Sequence, residues 1–292
     1  MAEQKIELRK IRDFSENIND TFLFIRQQFK PLIYSFLAIA GIFMLATAIF
    51  GGLYQSQFGN VFKEMLSGSR KQMDVMQMYG ANYFIFLLLS ILNIAAMQVA
   101  VVAYMKLYAA NGETPTIEAV WNVFKQYFLK AALFTFPVYL LILVGMVFCL
   151  APGIYWAVVL MPFQIILVME DESFGGAFSR CFTIIKENFW ASFGVYIVVY
   201  IIYAVAATVI SGVVGLISGL LSYFTTKDIV STIGIATSFL SIFSYLFYVI
   251  FFVSIVLQYF SLVEKRDSTG MIQRLDKLGE SNQDFGNIKE DY

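Results

Sequence analysis

The chain of 292 residues contains no histidine. That absence removes imidazole as a metal ligand, as a general base and as the middle member of a Ser-His-Asp triad. Cysteine is nearly as scarce. Cys149 and Cys181 are the only two, one in an expected membrane span and one in an expected surface helix, which argues against a disulfide and rules out a cysteine-rich metal site. Charge is sparse as well: 14% of residues are Asp, Glu, Lys or Arg, against about a quarter in a soluble domain. The net charge of −1 carries no basic excess that would suit a nucleic acid. There is no Walker loop, no GxGxxG and no paired-carboxylate site, so no catalytic, cofactor-binding or metal-binding residue is assigned and no cofactor is expected.

What the chain has in abundance is apolar surface. Hydrophobic residues make up 59% of it, with 30 Phe and 17 Tyr, and the mean hydropathy is +0.71. Residues 131–169 and 188–226 carry no charge at all. A single helix over the first of these would measure about 58 Å, twice the roughly 30 Å hydrocarbon core. It must fold back, and Ala151-Pro152-Gly153 is the expected turn. These runs predict an all-α polytopic bundle of six transmembrane helices, at about 31–54, 83–108, 131–150, 154–169, 191–213 and 237–262. Pro162 should kink the fourth span, and Gln164 needs a partner inside the bundle. The fifth span is followed by a Gly/Ser-rich extension to Thr226, and residues 264–292 read as a polar tail, helical near Met271 to Leu278. The first 30 residues carry six Lys or Arg and no sustained apolar core, so no cleavable signal peptide is expected.

A pattern recurs ahead of each pair of spans. Ile18, Phe22, Ile25 and Phe29 fall at steps of four, three and four, one stripe of a helix. Ile117, Trp121, Phe124 and Phe128 repeat the spacing, as do Phe178, Phe182, Ile185 and Phe189. Arg26, Lys125 and Lys186 occupy equivalent positions in the three copies, and each is followed by Gln or Glu. The chain therefore reads as three units, each an amphipathic elbow helix (about 14–30, 114–130 and 173–190) followed by a hairpin of spans. Asp13 and Glu16 could cap the first elbow reciprocally. Thr114 is the expected N-cap of the second, with Pro115 at its first helical position. Glu170-Asp171-Glu172 precedes the third, where acids favour the positive helix end. Arg26, Lys125, Arg180 and Lys186 are the candidate contacts to the membrane surface or a partner.

Sixteen of the 20 Lys and Arg fall on one side of this six-span scheme and four on the other, which places both termini in the cytoplasm. Ala207, Ser211, Gly215 and Gly219 recur every four residues as a candidate helix-packing ladder, within the bundle or in a homo-oligomer. No Asp, Glu or Arg lies inside a span, and Lys106 sits at an edge where it can snorkel to headgroups.

The pattern Glu170-x-x-x-Phe174-Gly175-x-Ala177-Phe178-x-Arg180 with Lys186-x-Asn188-Phe189-Trp190 resembles a broad group of bacterial six-span membrane proteins. That group is similar to the membrane domain of some glycerophosphodiester phosphodiesterases. The opening RKIRDFSENINDTFLFIRQQFKP and the ending QYFSLVEKRDSTGMIQRLDKLG resemble one bacterial subgroup, and the likeness spans most of residues 9–279. The resemblance implies a six-span fold in the bacterial inner membrane. Members of the subgroup often carry the label β-carotene 15,15'-monooxygenase, but carotenoid oxygenases hold iron with four histidines and this chain has none. The resemblance carries no functional residue across.

Three classes of function stay open on these residues. The first is non-enzymatic support of envelope or lipid organisation, or of membrane complex assembly, with membrane lipids and a protein complex as partners. The second is a transporter or lipid-moving channel, which would show a continuous polar cavity between hairpins. The third is a membrane-lipid enzyme, which needs carboxylates or hydroxyls converging near Glu170 to Glu172.

Overall fold

A computed structural model of the chain describes residues 6–66, 80–224 and 229–268. The described residues form helices and no strands. Six helical stretches are long and apolar enough to cross a membrane: Phe14–Gly59, Ala81–Asn111, Ile117–Phe148, Leu150–Met169, Phe174–Leu220 and Ser238–Asp267. The protein is an all-α, multi-pass membrane bundle.

The first helix, α1 (Phe14–Leu66), joins the first elbow to the first span. Its backbone leaves helical geometry only at Gln28, three residues before Pro31. Pro31 has no N–H for the residue 27 carbonyl and its ring crowds that carbonyl, so the helix kinks there instead of ending. The chain from Gln55 to Leu66, expected as loop, continues the helix. Helix α2 (Ala81–Asn111) stops at Gly112, which takes a left-handed φ of 65° and returns its N–H to the Tyr108 carbonyl. Helix α3 (Ile117–Phe148) runs through the second elbow into the third span without interruption. No glycine or proline stands between Ile117 and Phe136 to break it. The N-cap is Thr116, accepting from the Ala119 N–H at 3.3 Å, and not Thr114. Pro115 therefore lies outside the helix.

The turn after α3 comes at Cys149, two residues earlier than expected. Helix α4 (Leu150–Leu160) begins at once, with Ala151-Pro152-Gly153 in its first turn. A proline is tolerated there because first-turn N–H groups have no helical partner. Pro162 breaks the next span outright, so that α5 (Phe163–Met169) is a separate short helix. The third elbow is an independent helix, α6 (Phe174–Ile185), capped by Ser173 and followed by a 3₁₀ turn at Lys186–Asn188. Helix α7 (Phe189–Phe224) extends eleven residues past the expected end of the fifth span at 213. Helix α8 (Ile229–Asp267) overruns the expected sixth span at both ends. The expected tail helix at Met271 to Leu278 lies outside the described residues.

Helix α8 packs along α1 on one side and α7 on the other, and α2 joins α1 to α3. Residues 95–105 of α2, 163–168 of α5 and 251–262 of α8 are buried on every face. A helix apolar all round must be enclosed, and here the three elbows enclose it. Both described ends of the chain meet at this end of the bundle, where the Arg12 N–H donates to Ser261 Oγ at 2.8 Å. An even number of crossings requires that meeting. By contrast, α7 presents Val205, Val209, Leu216, Ile217 and Leu220 outward, as suits a helix facing lipid.

Candidate functional site

The elbow stripes face the protein only in part: Phe124 and Ile185 are buried, and Ile18, Ile25, Phe128, Phe178, Phe182 and Phe189 are half-buried against the core. Phe22, Phe29, Ile117 and Trp121 are exposed, while the buried positions fall mostly one residue earlier. Buried one residue before a stripe position are Asn17, Thr21 and Phe24 in the first elbow, Val120 and Tyr127 in the second, and Ala177, Cys181 and Ile184 in the third. One residue is about 100° of helix rotation. The apolar stripes thus sit at the edge of the packed faces, partly against the core and partly toward the surroundings of the bundle. In the third elbow, Phe178 and Phe182 rest on Trp156, and Phe189 stacks on Tyr155.

Beneath the elbows a polar network ties α1, α7 and α8 together. Asn17 Nδ2 donates to Gln258 Oε1 at 3.1 Å, Ser254 Oγ donates to Asn17 Oδ1 at 2.8 Å, and Gln258 Nε2 donates to Ser192 Oγ at 3.2 Å. The segment ahead of α1 is held by Arg12, whose side chain is 0% exposed. Its guanidinium donates to Asp20 at 2.8 Å, to the carbonyls of Leu8 at 2.7 Å and Lys10 at 3.2 Å, and to the Glu7 carbonyl. Neither Asn17 nor Arg12 was singled out from the sequence. Asn17 stands among polar neighbours, Ser15, Glu16, Asn19 and Asp20, so nothing local in the sequence marks it.

A cleft of about 350 Å³ opens at this end of the bundle, between the segment before α1 and the ends of α2, α5, α6 and α8. Its polar lining is Arg9, Lys106, Glu170, Arg180, Tyr259 and Asp267, and Ala110, Met169 and Val263 supply apolar wall. Glu170 accepts from Arg180 Nε at 3.0 Å and from Tyr259 Oη at 2.8 Å. Arg180 also pairs with Asp267. The three side chains are 24%, 23% and 28% exposed for Arg180, Glu170 and Asp267. Lys106 does not snorkel outward as expected. It donates to the Val168 carbonyl and, at 3.3 Å, to Tyr127 Oη. Asp171, which takes a left-handed φ of 54°, faces Lys106 and Tyr127 from outside the lining.

The sequence-picked residues separate here. Arg180 is committed to the ion-pair cluster inside the cleft. Arg26, Lys125 and Lys186 stay exposed on the three elbows, Lys125 with its ammonium 5.9 Å from the Trp121 ring centroid. The ladder on α7 makes no close backbone approach at Gly215, where an added Cβ would meet no described atom within 4 Å. Ser211 is exposed, and Ala207 and Gly219 are half-buried. The third elbow is stitched to the end of α8 by two further bonds, Arg266 to the Thr183 carbonyl and Lys265 to Asn188, both at 2.6 Å. Among the described residues, no group of three or more Cys, Asp or Glu could hold a metal ion. No family model, curated protein or solved structure matches this chain.

Proposed function

We propose that the protein belongs to the bacterial cytoplasmic membrane, with both termini cytoplasmic, and works without catalysing a reaction, organising envelope lipid or supporting assembly of a membrane complex. One observation carries this reading. The polar side chains that could do chemistry are bonded to one another, in the Glu170–Arg180–Asp267 cluster and the Asn17–Gln258–Ser192 network. What is left facing outward at the same end is apolar stripe and cation, in the form of exposed Phe22, Phe29, Trp121, Arg26, Lys125 and Lys186. Such a surface suits anionic headgroups. The bias of 16 basic residues to four supports a cytoplasmic location for that end, and the bacterial membrane is what the sequence resemblance implies.

The test is membrane abundance and co-purification for Arg26→Glu, Lys125→Glu, Lys186→Glu and the triple variant. Each cation near a charged surface contributes about 1 kcal/mol. Single reversals should therefore cost little and resemble one another, and the triple should lose membrane abundance. One single reversal that loses a co-purifying protein or lipid at normal abundance would identify its elbow as a recognition surface. A triple variant with full abundance and unaltered co-purifying species would overturn the reading.

A further inference from the structure

The cleft at the enclosed end of the bundle has a charge inventory that the fold itself does not use up. Its lining holds three cations, Arg9, Lys106 and Arg180, against two carboxylates, Glu170 and Asp267. Both carboxylates are held by Arg180, and Lys106 has Asp171 facing it from beyond the lining. Arg9 makes no hydrogen bond or ion pair among the described residues. The named groups are thus three cations against three carboxylates, and the one cation among them with no bonded partner is Arg9, a planar five-donor group suited to phosphate oxygens. Lys106 spends two of its three N–H donors on Val168 and Tyr127, which leaves one. The volume of about 350 Å³ lies at the lower end of the roughly 300–1,000 Å³ of small-molecule sites. Ala110, Met169 and Val263 offer apolar wall beside the charged groups.

We propose that this cleft binds a phosphate group, with Arg9 and the free donor of Lys106 on its oxygens and the apolar wall against what the phosphate carries. A phosphodiester headgroup matches the unbonded Arg9 guanidinium and the half-apolar lining together. A free phosphate ion would use the donors alone. The inference rests on the membrane-surface placement argued above but fails separately from it, because binding is read on purified protein without regard to orientation or partners.

The experiment follows thermal unfolding of the full-length protein in an uncharged detergent during titration. The probes are dihexanoyl phosphatidylglycerol, dihexanoylglycerol and inorganic phosphate. The phosphodiester lipid should raise the melting temperature saturably, and dihexanoylglycerol should not. Arg9→Gln should move half-saturation at least tenfold upward, whereas Lys186→Gln, which removes a cation outside the cleft, should leave it in place. Ala110→Trp, which fills the cleft without changing charge, should abolish saturation and keeps the test open if Arg9→Gln folds poorly. An equal, saturable response to inorganic phosphate would support the site and assign it to the free ion. No response to inorganic phosphate would assign it to the lipid. Equal weakening by Arg9→Gln and Lys186→Gln, or an equal response to dihexanoylglycerol, would overturn the proposal.

Discussion

Gln164 shows how a single polar side chain behaves when water is absent. Its need for a partner is legible in the sequence, since a primary amide in an uncharged run of 39 residues cannot be left to lipid. The partner is Thr135, 29 residues away on α3, which accepts from Gln164 Nε2 and itself donates to the Ala131 carbonyl at 2.7 Å. Gln164 Oε1 remains buried without a protein partner. The two ends of this bond should therefore respond differently to substitution. Thr135→Val strands the whole amide and should cost about 1–2 kcal/mol, whereas Gln164→Met removes an unsatisfied acceptor, strands nothing and should be near neutral. Thermal unfolding in one detergent compares them, and equal losses would mean that Oε1 is satisfied after all. Capping was legible only where it is local. Asp13 and Glu16 do cap α1 reciprocally, at 2.7 and 3.2 Å. Thr114 is instead drawn to Gln28, 86 residues distant, at 3.1 Å, a tertiary contact that no local pattern encodes.

At the scale of elements, the turn between α3 and α4 depends on two glycines at close quarters. A Cβ on Gly153 would stand 2.6 Å from the backbone nitrogen of Met146, and one on Gly145 would meet Gly153 Cα at 3.0 Å. Gly153→Ala should then cost about 1–3 kcal/mol by overpacking. Gly175→Ala in α6, where a Cβ meets nothing within 4 Å, should be neutral or gain up to about 1 kcal/mol from helix propensity. Similar melting temperatures for the two would show that the turn opens readily. The chain ahead of α1 is an element of another kind, without helix and held by one guanidinium. Arg12→Met should cost about 1–3 kcal/mol as the Lys10 carbonyl loses its donor and the Leu8 carbonyl keeps only the Lys10 N–H. Asp20 stays partly exposed and can be rehydrated, so the loss should stop short of unfolding. The variant should also be cut faster by protease before Asp13 than the parent protein. Unaltered protection would place the anchoring in the burial of Ile6 and Leu8 and in the bond from the Arg12 backbone N–H to Ser261. Gly215 belongs with Gly175 in its open surroundings, so Gly215→Leu should be no more damaging than Val214→Leu.

For the whole molecule, the number of spans was legible from two signals together: the length of the charge-free run 131–169 forces a fold-back, and the equally long run 188–226 stays one span because that keeps the basic segments on one side. The phase of the elbows was legible only in part. In water an apolar stripe marks the face turned toward the protein, but beside a bilayer lipid competes for it. The packed face can then carry Asn17 and Thr21, which find partners in α8 and their own helix. A sequence shows where apolar residues recur and is silent on which apolar medium receives them. The same ambiguity touches orientation, which basic residues argue for and which labelling can decide. Cys181 is buried and makes a poor reporter even when its side of the membrane is opened. Ser179 and Ala81 are both exposed, the first on the third elbow and the second at the opposite end, where α2 begins beside α1 through the Asn82 to Gln57 bond. With Cys149→Ser as background, a membrane-impermeant maleimide on intact cells should modify Ala81→Cys. It should reach Ser179→Cys only after the membrane is permeabilised. The reverse order would put the elbows, the cleft and both termini on the outer face, and the surplus of basic residues there would need a cause other than retention in the cytoplasm.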